Sequence, residues 1–155
     1  MSRIAIIDST VLTNFAWVRR ADLVFSAWQD AVCTTPAALA EYQKATDKRS
    51  FPPDYWQGLL LLDLTNHEQE LAKGLNRHLG KGESTCLACA QLRDGMLASD
   101  DMDARRYAHK MNVPVSGTLG ILVINIRDAT ITLDQANHLL SRMIRDGYRS
   151  PLRDI

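Results

Sequence analysis

The sequence predicts a single α/β domain over residues 1–155, with a mainly parallel central sheet of about five strands flanked by helices. Three observations favour this fold class. Short apolar runs alternate with segments of helical periodicity, which is typical of βαβ units. The length of 155 residues corresponds to about one domain, and a hydrophobic content of 46% is sufficient for a core. Caps and turn residues separate most of the segments.

The N-terminal third predicts two strands. The apolar run 4–8 is the first strand, and Ser9 or Thr10 can cap the helix that follows it. A short second helix leads to the second strand, at 31–34. Thr35-Pro36 then opens a third helix, because a cap residue is followed by proline at the first helical position.

The middle of the chain predicts one strand and two helices. Residues 44–54 contain two prolines and a charged run, and they predict a loop or lid, since neither side is long enough to fold alone. The apolar run 59–64 predicts the third strand. A helix beginning at 65–66 and ended by Gly80 follows, and Gly82 opens the next helix.

The C-terminal third completes the pattern. Two short strands are predicted at 96–99 and 114–116, with a helix between them. The segment 117–126 predicts an apolar helix. Residues 132–135 form a capping box, and the amphipathic helix that they begin is ended by Gly147.

Acidic residues lie at or near the ends of the predicted strands. Asp8 ends the first strand and Asp101 follows the fourth, with Asp103 beside it, whereas Glu41 and Glu83 lie near helix starts. In an open α/β sheet the carboxyl ends of neighbouring strands meet at one crevice. Carboxylates brought together there repel one another unless a cation joins them, and Mg²⁺ prefers oxygen ligands. The pattern therefore predicts a metal-dependent phosphoryl-transfer site, although each acid alone is equally typical of a helix cap.

Composition narrows the class of protein. No apolar stretch approaches the ~18 residues of a membrane span, and the N-terminus does not have the pattern of a secretory signal. Three cysteines do not make a disulfide framework, so we expect a reducing cytoplasm and no membrane partner. The formal net charge of zero argues against a protein that coats nucleic acid non-specifically.

Two basic patches could contact a phosphate backbone or could be solvated helix faces. One consists of Arg105, Arg106, His109 and Lys110, and the other of Arg142, Arg145, Arg149 and Arg153. Among the tryptophans, Trp56 lies beside the predicted loop and is a candidate for substrate contact by stacking.

Five stretches of the sequence resemble the PIN domain superfamily. They are Ile-Ile-Asp-Ser-Thr-Val-Leu (6–12), Thr-Pro-Ala-Ala-Leu-Ala-Glu (35–41), Gly-Glu-Ser-Thr-Cys-Leu-Ala (82–88), Ser-Asp-Asp-Met-Asp-Ala-Arg (99–105) and Val-Ser-Gly-Thr-Leu-Gly-Ile-Leu (115–122). The stretches 82–88 and 115–122, which contain Gly-Glu and Gly-Thr-Leu-Gly, resemble a poorly characterised branch of the superfamily. No single motif is specific, but they occur in the family's order from residue 4 to about 126, and the ordered set is a fairly strong signal. The resemblance implies a three-layer PIN-like fold over the whole chain.

The resemblance also implies a set of site residues. Asp8, Glu41, Glu83 and Asp101 match the four family carboxylates, and Asp103 matches an accessory acid that could also bind metal. Ser99 matches the hydroxyl residue of the Thr/Ser-x-Asp turn that contains Asp101. Supporting positions are Ser9, Ser99 and Asp100, with Thr10 and Asn14 as further polar neighbours. The sequence departs from the branch pattern at Thr85, where a second acid would stand.

The implied function is that of a ribonuclease. By resemblance to VapC-type toxins, the expected cofactor is Mg²⁺ or Mn²⁺, the substrate is single-stranded RNA, and the partners are an antitoxin protein and a second copy of the chain. Apolar residues on more than one side of the last helix also favour a homodimer. The alternative is a catalytically weakened PIN-like module that binds nucleic acid or protein, which the departure at Thr85 keeps open.

Two other site types fit the sequence poorly. Cys86-x-x-Cys89 has no second ligand pair at zinc spacing and lies inside a predicted helix, so core packing explains it better. A phosphatase-type site at Asp8 would need Asp-x-Asp, and residue 10 is Thr.

Overall fold

The computed structural model of the chain describes residues 3–47, 52 and 54–155. It confirms an α/β fold with five strands, all parallel, and helices on both faces of the sheet. The strands are β1 (Ala5–Ile7), β2 (Val32–Thr34), β3 (Leu60–Leu61), β4 (Met96–Ala98) and β5 (Val115–Ser116). The helices are α1 (Ser9–Trp17), α2 (Ala21–Ala27), α3 (Pro36–Asp47), α4 (Asn66–Leu75), α5 (Lys81–Leu92), α6 (Met102–Lys110), α7 (Thr118–Arg127) and α8 (Leu133–Arg145).

The strand order places β1 at the centre of the sheet. The order is β3-β2-β1-β4-β5, with Ala5 in register with Val32 on one side and with Met96 on the other. The chain winds outward from β1 to β3, then crosses back to β4 and continues to β5. The point where the direction of winding reverses lies between β1 and β4, and this is where open α/β sheets form a ligand crevice at the carboxyl ends of their strands.

Alternation along β1 divides the core into two layers. Ala5 and Ile7 pack into the cluster formed with α1, α2, α7 and α8, whereas Ile6 packs into the cluster formed with α4, α5 and α6. All three residues are fully buried. Successive side chains of a strand point to opposite faces, so a strand covered on both faces must be apolar at every position. The sheet is therefore the middle of three layers.

Several local predictions are confirmed. Thr132 and Gln135 form the predicted capping box at the start of α8, and Pro36 is the first residue of α3. The predicted strand 59–64 is shorter than expected, with Leu60–Leu61 alone in ladder geometry. Because β3 is an edge strand, Leu60 and Leu61 are exposed while their neighbours Leu59 and Leu62 are buried.

Two helix ends differ from the predictions. The helix predicted to reach Gly80 ends at Leu75, after which the chain makes turns. At the predicted loop 44–54, α3 continues to Asp47, because Thr46 is buried and its hydroxyl donates to the carbonyl of Tyr42 at 3.0 Å. Positions 48–51 and 53 of that loop lie outside the described residues. Within the described ranges, every helix is too short or too polar to cross a membrane.

Candidate metal centre

Three carboxylates converge at the carboxyl edge of the sheet. Asp8 directly follows β1, Glu41 projects from the second turn of α3, and Glu83 lies in the first turn of α5. One carboxylate oxygen from each residue lies within 4.8 Å of the other two. The residues come from three separate parts of the chain, so the fold itself brings them together.

Asp8 is the most strongly constrained of the three. Its side chain is fully buried; Oδ1 accepts a hydrogen bond from the Ser9 N–H at 2.8 Å and Oδ2 accepts one from the Ser99 hydroxyl at 2.7 Å. Burial raises the pKa of Asp8 to about 7, and the nearby charges of Glu83 and Glu41 add to the rise. The two hydrogen bonds oppose it. In the part of the chain that the structure describes, no cationic side chain pairs with the negative charge of Asp8.

Glu41 is held by donors from two neighbouring helices. Its Oε1 accepts from the Gly82 N–H at 2.8 Å, and its Oε2 accepts from the Ser9 hydroxyl at 3.1 Å. Gly82 allows this approach because it has no side chain. A Cβ at position 82 would lie 2.7 Å from Cδ of Glu41, far inside van der Waals contact. The glycine is thus required by the position of the carboxylate.

Glu83 is half-buried, and its pKa is raised. Burial is the largest cause, followed by the charge of Glu41 and then by that of Asp101. The pKa values of Asp8 and Glu83 are thus both raised, first by burial and then by the charges of the neighbouring acids.

The chemistry of this donor set fits a divalent cation. Throughout the described part of the chain, no lysine, arginine or histidine forms an ion pair with Asp8, Glu41 or Glu83. Three oxygen-bearing side chains without a cationic partner are the ligands that Mg²⁺ and Mn²⁺ select. A bound cation would also offset the repulsion from Glu83 and Glu41 that adds to the effect of burial on the pKa of Asp8.

The structure does not bring Asp101 into this group of three. Asp101 caps α6, where its Oδ1 accepts from the Ala104 N–H at 2.8 Å. It lies close enough to Glu83 for its charge to affect the pKa of that residue. Asp101 therefore stands at the border of the carboxylate group, with one oxygen engaged in a helix cap.

The other two acids of the same motif point elsewhere. Asp103 is exposed and pairs with Arg106 at 3.1 Å. Asp100 turns toward α7, where it accepts from the N–H and the hydroxyl of Thr118 and from the side-chain amide of Asn14. The expected metal ligand Asp103 thus lies in a surface ion pair, and Asp100 ties β4 to α7.

Hydroxyl residues connect the acids to the backbone around them. Ser9 and Ser99 each donate to a carboxylate of the group, while Thr10 accepts from the Asp100 N–H at 3.0 Å. The roles of Thr118 and Gly82 were not predicted from the sequence, although both residues lie in stretches that resemble the PIN domain superfamily. Each role depends on a contact between segments distant in the chain, and a single sequence does not reveal such contacts.

The predicted nucleic-acid contacts are mostly engaged within the protein. Trp56 requires a correction: its side chain is 3% exposed and its Nε1 donates to the Leu12 carbonyl, so it is a core residue with no free face for stacking. Arg105 donates to the Ser99 carbonyl at 2.9 Å, Arg106 pairs with Asp103, and the Lys110 ammonium lies 5.2 Å from the ring centre of Tyr107.

An open cleft of about 430 Å³ adjoins the carboxylates. One wall is α1, with Ser9, Asn14 and Trp17, and the other is the turn after α8. Gly147, with φ of +119°, makes that turn possible and directs Tyr148 toward the cleft. Burial raises the pKa of Tyr148, and the charge of Asp100 contributes.

The cysteines form no site in the residues that the structure describes. Cys33, Cys86 and Cys89 are free and buried, and burial raises the pKa of each thiol above its ordinary value. Unreactive, buried thiols behave as small apolar core residues, which agrees with the interpretation of Cys86-x-x-Cys89.

Comparison with known proteins places this geometry in a family. The model of the family described as DUF3368, a PIN domain, matches residues 4–153. No curated protein matches the sequence.

Proposed function

This chain belongs to the PIN domain family, whose fold is of the nuclease type, and we propose that it is a divalent-metal-dependent endoribonuclease acting on single-stranded RNA. One observation carries the proposal: Asp8, Glu41 and Glu83 place carboxylate oxygens within 4.8 Å of one another, and among the described residues no cationic side chain forms an ion pair with them. A structural role would leave this repulsion uncompensated, whereas a metal-binding role removes it.

Asp8, Glu41 and Glu83 are the residues that would hold Mg²⁺ or Mn²⁺, with Asp101 next to them. When bound, such an ion acidifies a coordinated water and offsets negative charge on a phosphate. Ser9 and Ser99 fix the orientation of the carboxylates through their hydroxyl groups. Because both serines and the Gly82 N–H are donors, they also stabilise the ionised form of the acids that a cation requires.

The cleft beside α1 is the proposed position of the nucleotide next to the scissile phosphate. Its volume of about 430 Å³ is in the range of small-molecule sites. Trp17, Tyr148 and Arg149 lie along it, so an aromatic surface and a cation flank the acids. Base stacking and a single phosphate contact would position the strand without requiring a particular sequence.

The proposal extends to the biological role as the toxin of a toxin–antitoxin pair and to assembly as a homodimer. The structure changes one argument for the dimer. Leu139, Leu140 and Met143 of α8, which the sequence offered as an interface, are buried in the core of their own chain. Support for the dimer therefore comes from family resemblance, and sedimentation at micromolar concentration tests it.

A second candidate function is a binding module without catalysis, which Thr85 favours. Its hydroxyl lies 2.7 Å from that of Thr35 and 3.0 Å from the carbonyls of Lys81 and Gly82. A neutral, internally bonded side chain thus stands where the family branch has a second acid after Glu83.

Cleavage of labelled single-stranded RNA tests the proposal against this alternative. The wild type should cleave with Mg²⁺ or Mn²⁺ and stop when the metal is chelated. Asp8→Asn should lower the rate more than about 100-fold, because loss of an outer-shell partner alone costs 10–100-fold in metal sites. Cys89→Ala, a core change away from the carboxylates, should keep activity. Binding of RNA without cleavage under either metal would instead support the binding module.

A further inference from the structure

We propose that a groove beside the carboxylates binds the backbone of single-stranded RNA and leads it to the metal centre. The lysine groove, as we name it, is defined by Lys44 of α3, Lys73 of α4 and Lys81 at the start of α5. The inference rests on the proposed function, because it assigns the path of the same substrate.

The lysine groove is large and shares the lining residue Glu41 with the cleft beside the carboxylates. Its volume is about 750 Å³, and it runs between α3, α4 and the start of α5. Glu41 belongs both to this groove and to the cleft beside α1. A strand lying in the groove therefore reaches the carboxylates at Glu41 and continues into the cleft on the other side.

The charge of the groove is suited to phosphates. All three lysines are exposed, and none forms an ion pair with another described residue. Apart from Glu41, the acid that lines the groove is Asp63. Lys44 lies one turn after Glu41 on α3, about 4.5 Å further along the helix axis. Positive charge thus begins directly beside the acidic centre, in a protein whose formal net charge is zero.

The floor of the groove is apolar. It is lined by Pro36, Leu62, Leu64 and Ala72. Leu62 and Ala72 also pack into the core cluster formed with α4, α5 and α6. A surface that combines lysines at the rim with an apolar floor can contact phosphates and pack against ribose and base faces at once. This combination, and the lining residue Glu41 that the groove shares with the cleft, favour a nucleic acid strand over an acidic protein segment.

Equilibrium binding measures the groove independently of catalysis. The probe is a short fluorescein-labelled single-stranded RNA, titrated by anisotropy with a chelator present and at several salt concentrations. Each of Lys44→Ala, Lys73→Ala and Lys81→Ala should weaken binding three- to tenfold. The triple variant should reduce the slope of log K against log salt by about 2, since each phosphate contact of a single strand contributes ~0.7. Exposed lysines contribute little to folding, which circular dichroism checks.

Arg127→Ala is the matched control. Arg127 is exposed and lies at the end of α7, whereas the start of that helix contacts Asp100. The Arg127→Ala substitution removes one positive charge at a position outside the groove, so it should leave the slope of log K against log salt unchanged. A triple variant that binds RNA with the wild-type slope would overturn the lysine groove. Absence of cleavage by the wild type would contradict the ribonuclease proposal instead, so the two failures are distinguishable.

Discussion

Asp8 carries most of the electrostatic cost of the site. It is fully buried, two donors hold it in place, and two further carboxylates surround it. Its position at the end of a buried strand was predictable from the sequence, because an apolar run followed directly by Asp indicates a strand that ends at that residue. The raised pKa was not, because it depends first on complete burial by the rest of the chain and then on Glu83 and Glu41, which come from distant parts of the sequence.

Without metal, the stability of the protein should depend on pH through Asp8. The pKa of Asp8 is about 7 in the folded protein and 3.8 as the ordinary value, so the folded state binds a proton more tightly than the unfolded state. The stabilising contribution is full below pH ~4 and is lost as the pH rises to about 7. We expect the free energy of unfolding, measured with urea and a chelator, to fall by a few kcal/mol over this range.

Asp8→Asn should remove most of that dependence and be more stable than the wild type at pH 8. Asp128→Asn is the control, because Asp128 is exposed at the end of α7. A wild-type protein whose metal-free stability is constant from pH 4 to 8 would show that burial and the neighbouring acids do not raise the pKa of Asp8.

Two helices, α3 and α5, build the site by approaching each other. Glu41 of α3 accepts from the backbone of Gly82 in α5, and Glu83 follows directly. The far end of α5 is clamped to α4, since Arg93 pairs with the buried Glu68 at 2.6 Å and donates to the Asp63 carbonyl. That pair holds the pKa of Glu68 at about 2. The helix that presents Glu83 is thus fixed at both ends.

Gly82→Ala should separate site geometry from stability. The added Cβ would collide with the end of the Glu41 side chain, which can rotate away at little cost to folding. We expect RNA cleavage to drop at least about tenfold, as for loss of a residue that orients a metal ligand, with a change in unfolding free energy below about 1 kcal/mol. Gly74→Ala on α4, where an added Cβ meets nothing within 4 Å, should keep activity and gain up to ~1 kcal/mol. Equal activity of the two variants would contradict the role of Gly82.

Whole-molecule topology explains why the carboxylates meet. The chain winds outward from β1 to β3 and then returns to β4. The direction of winding therefore reverses between β1 and β4, next to Asp8, the residue that follows β1. Alternating strands and helices predicted a mainly parallel sheet of about five strands, and the five parallel strands confirm it. The pattern also allowed a helix cap at Asp101, which the structure shows, but it could not reveal that Trp56 is a core residue or that Asp101 lies outside the group of three carboxylates, because both outcomes depend on packing between distant segments.

Binding of Mn²⁺, followed by electron paramagnetic resonance of the free ion, tests the central claim most directly. The wild type should bind Mn²⁺, and the binding should release protons at pH 6, because the pKa of Asp8 is about 7 without metal. Asp8→Asn should abolish binding at concentrations that saturate the wild type, and Asp128→Asn should bind normally. Wild-type protein that binds no more Mn²⁺ than Asp8→Asn would contradict the assignment of Asp8, Glu41 and Glu83 as a metal centre.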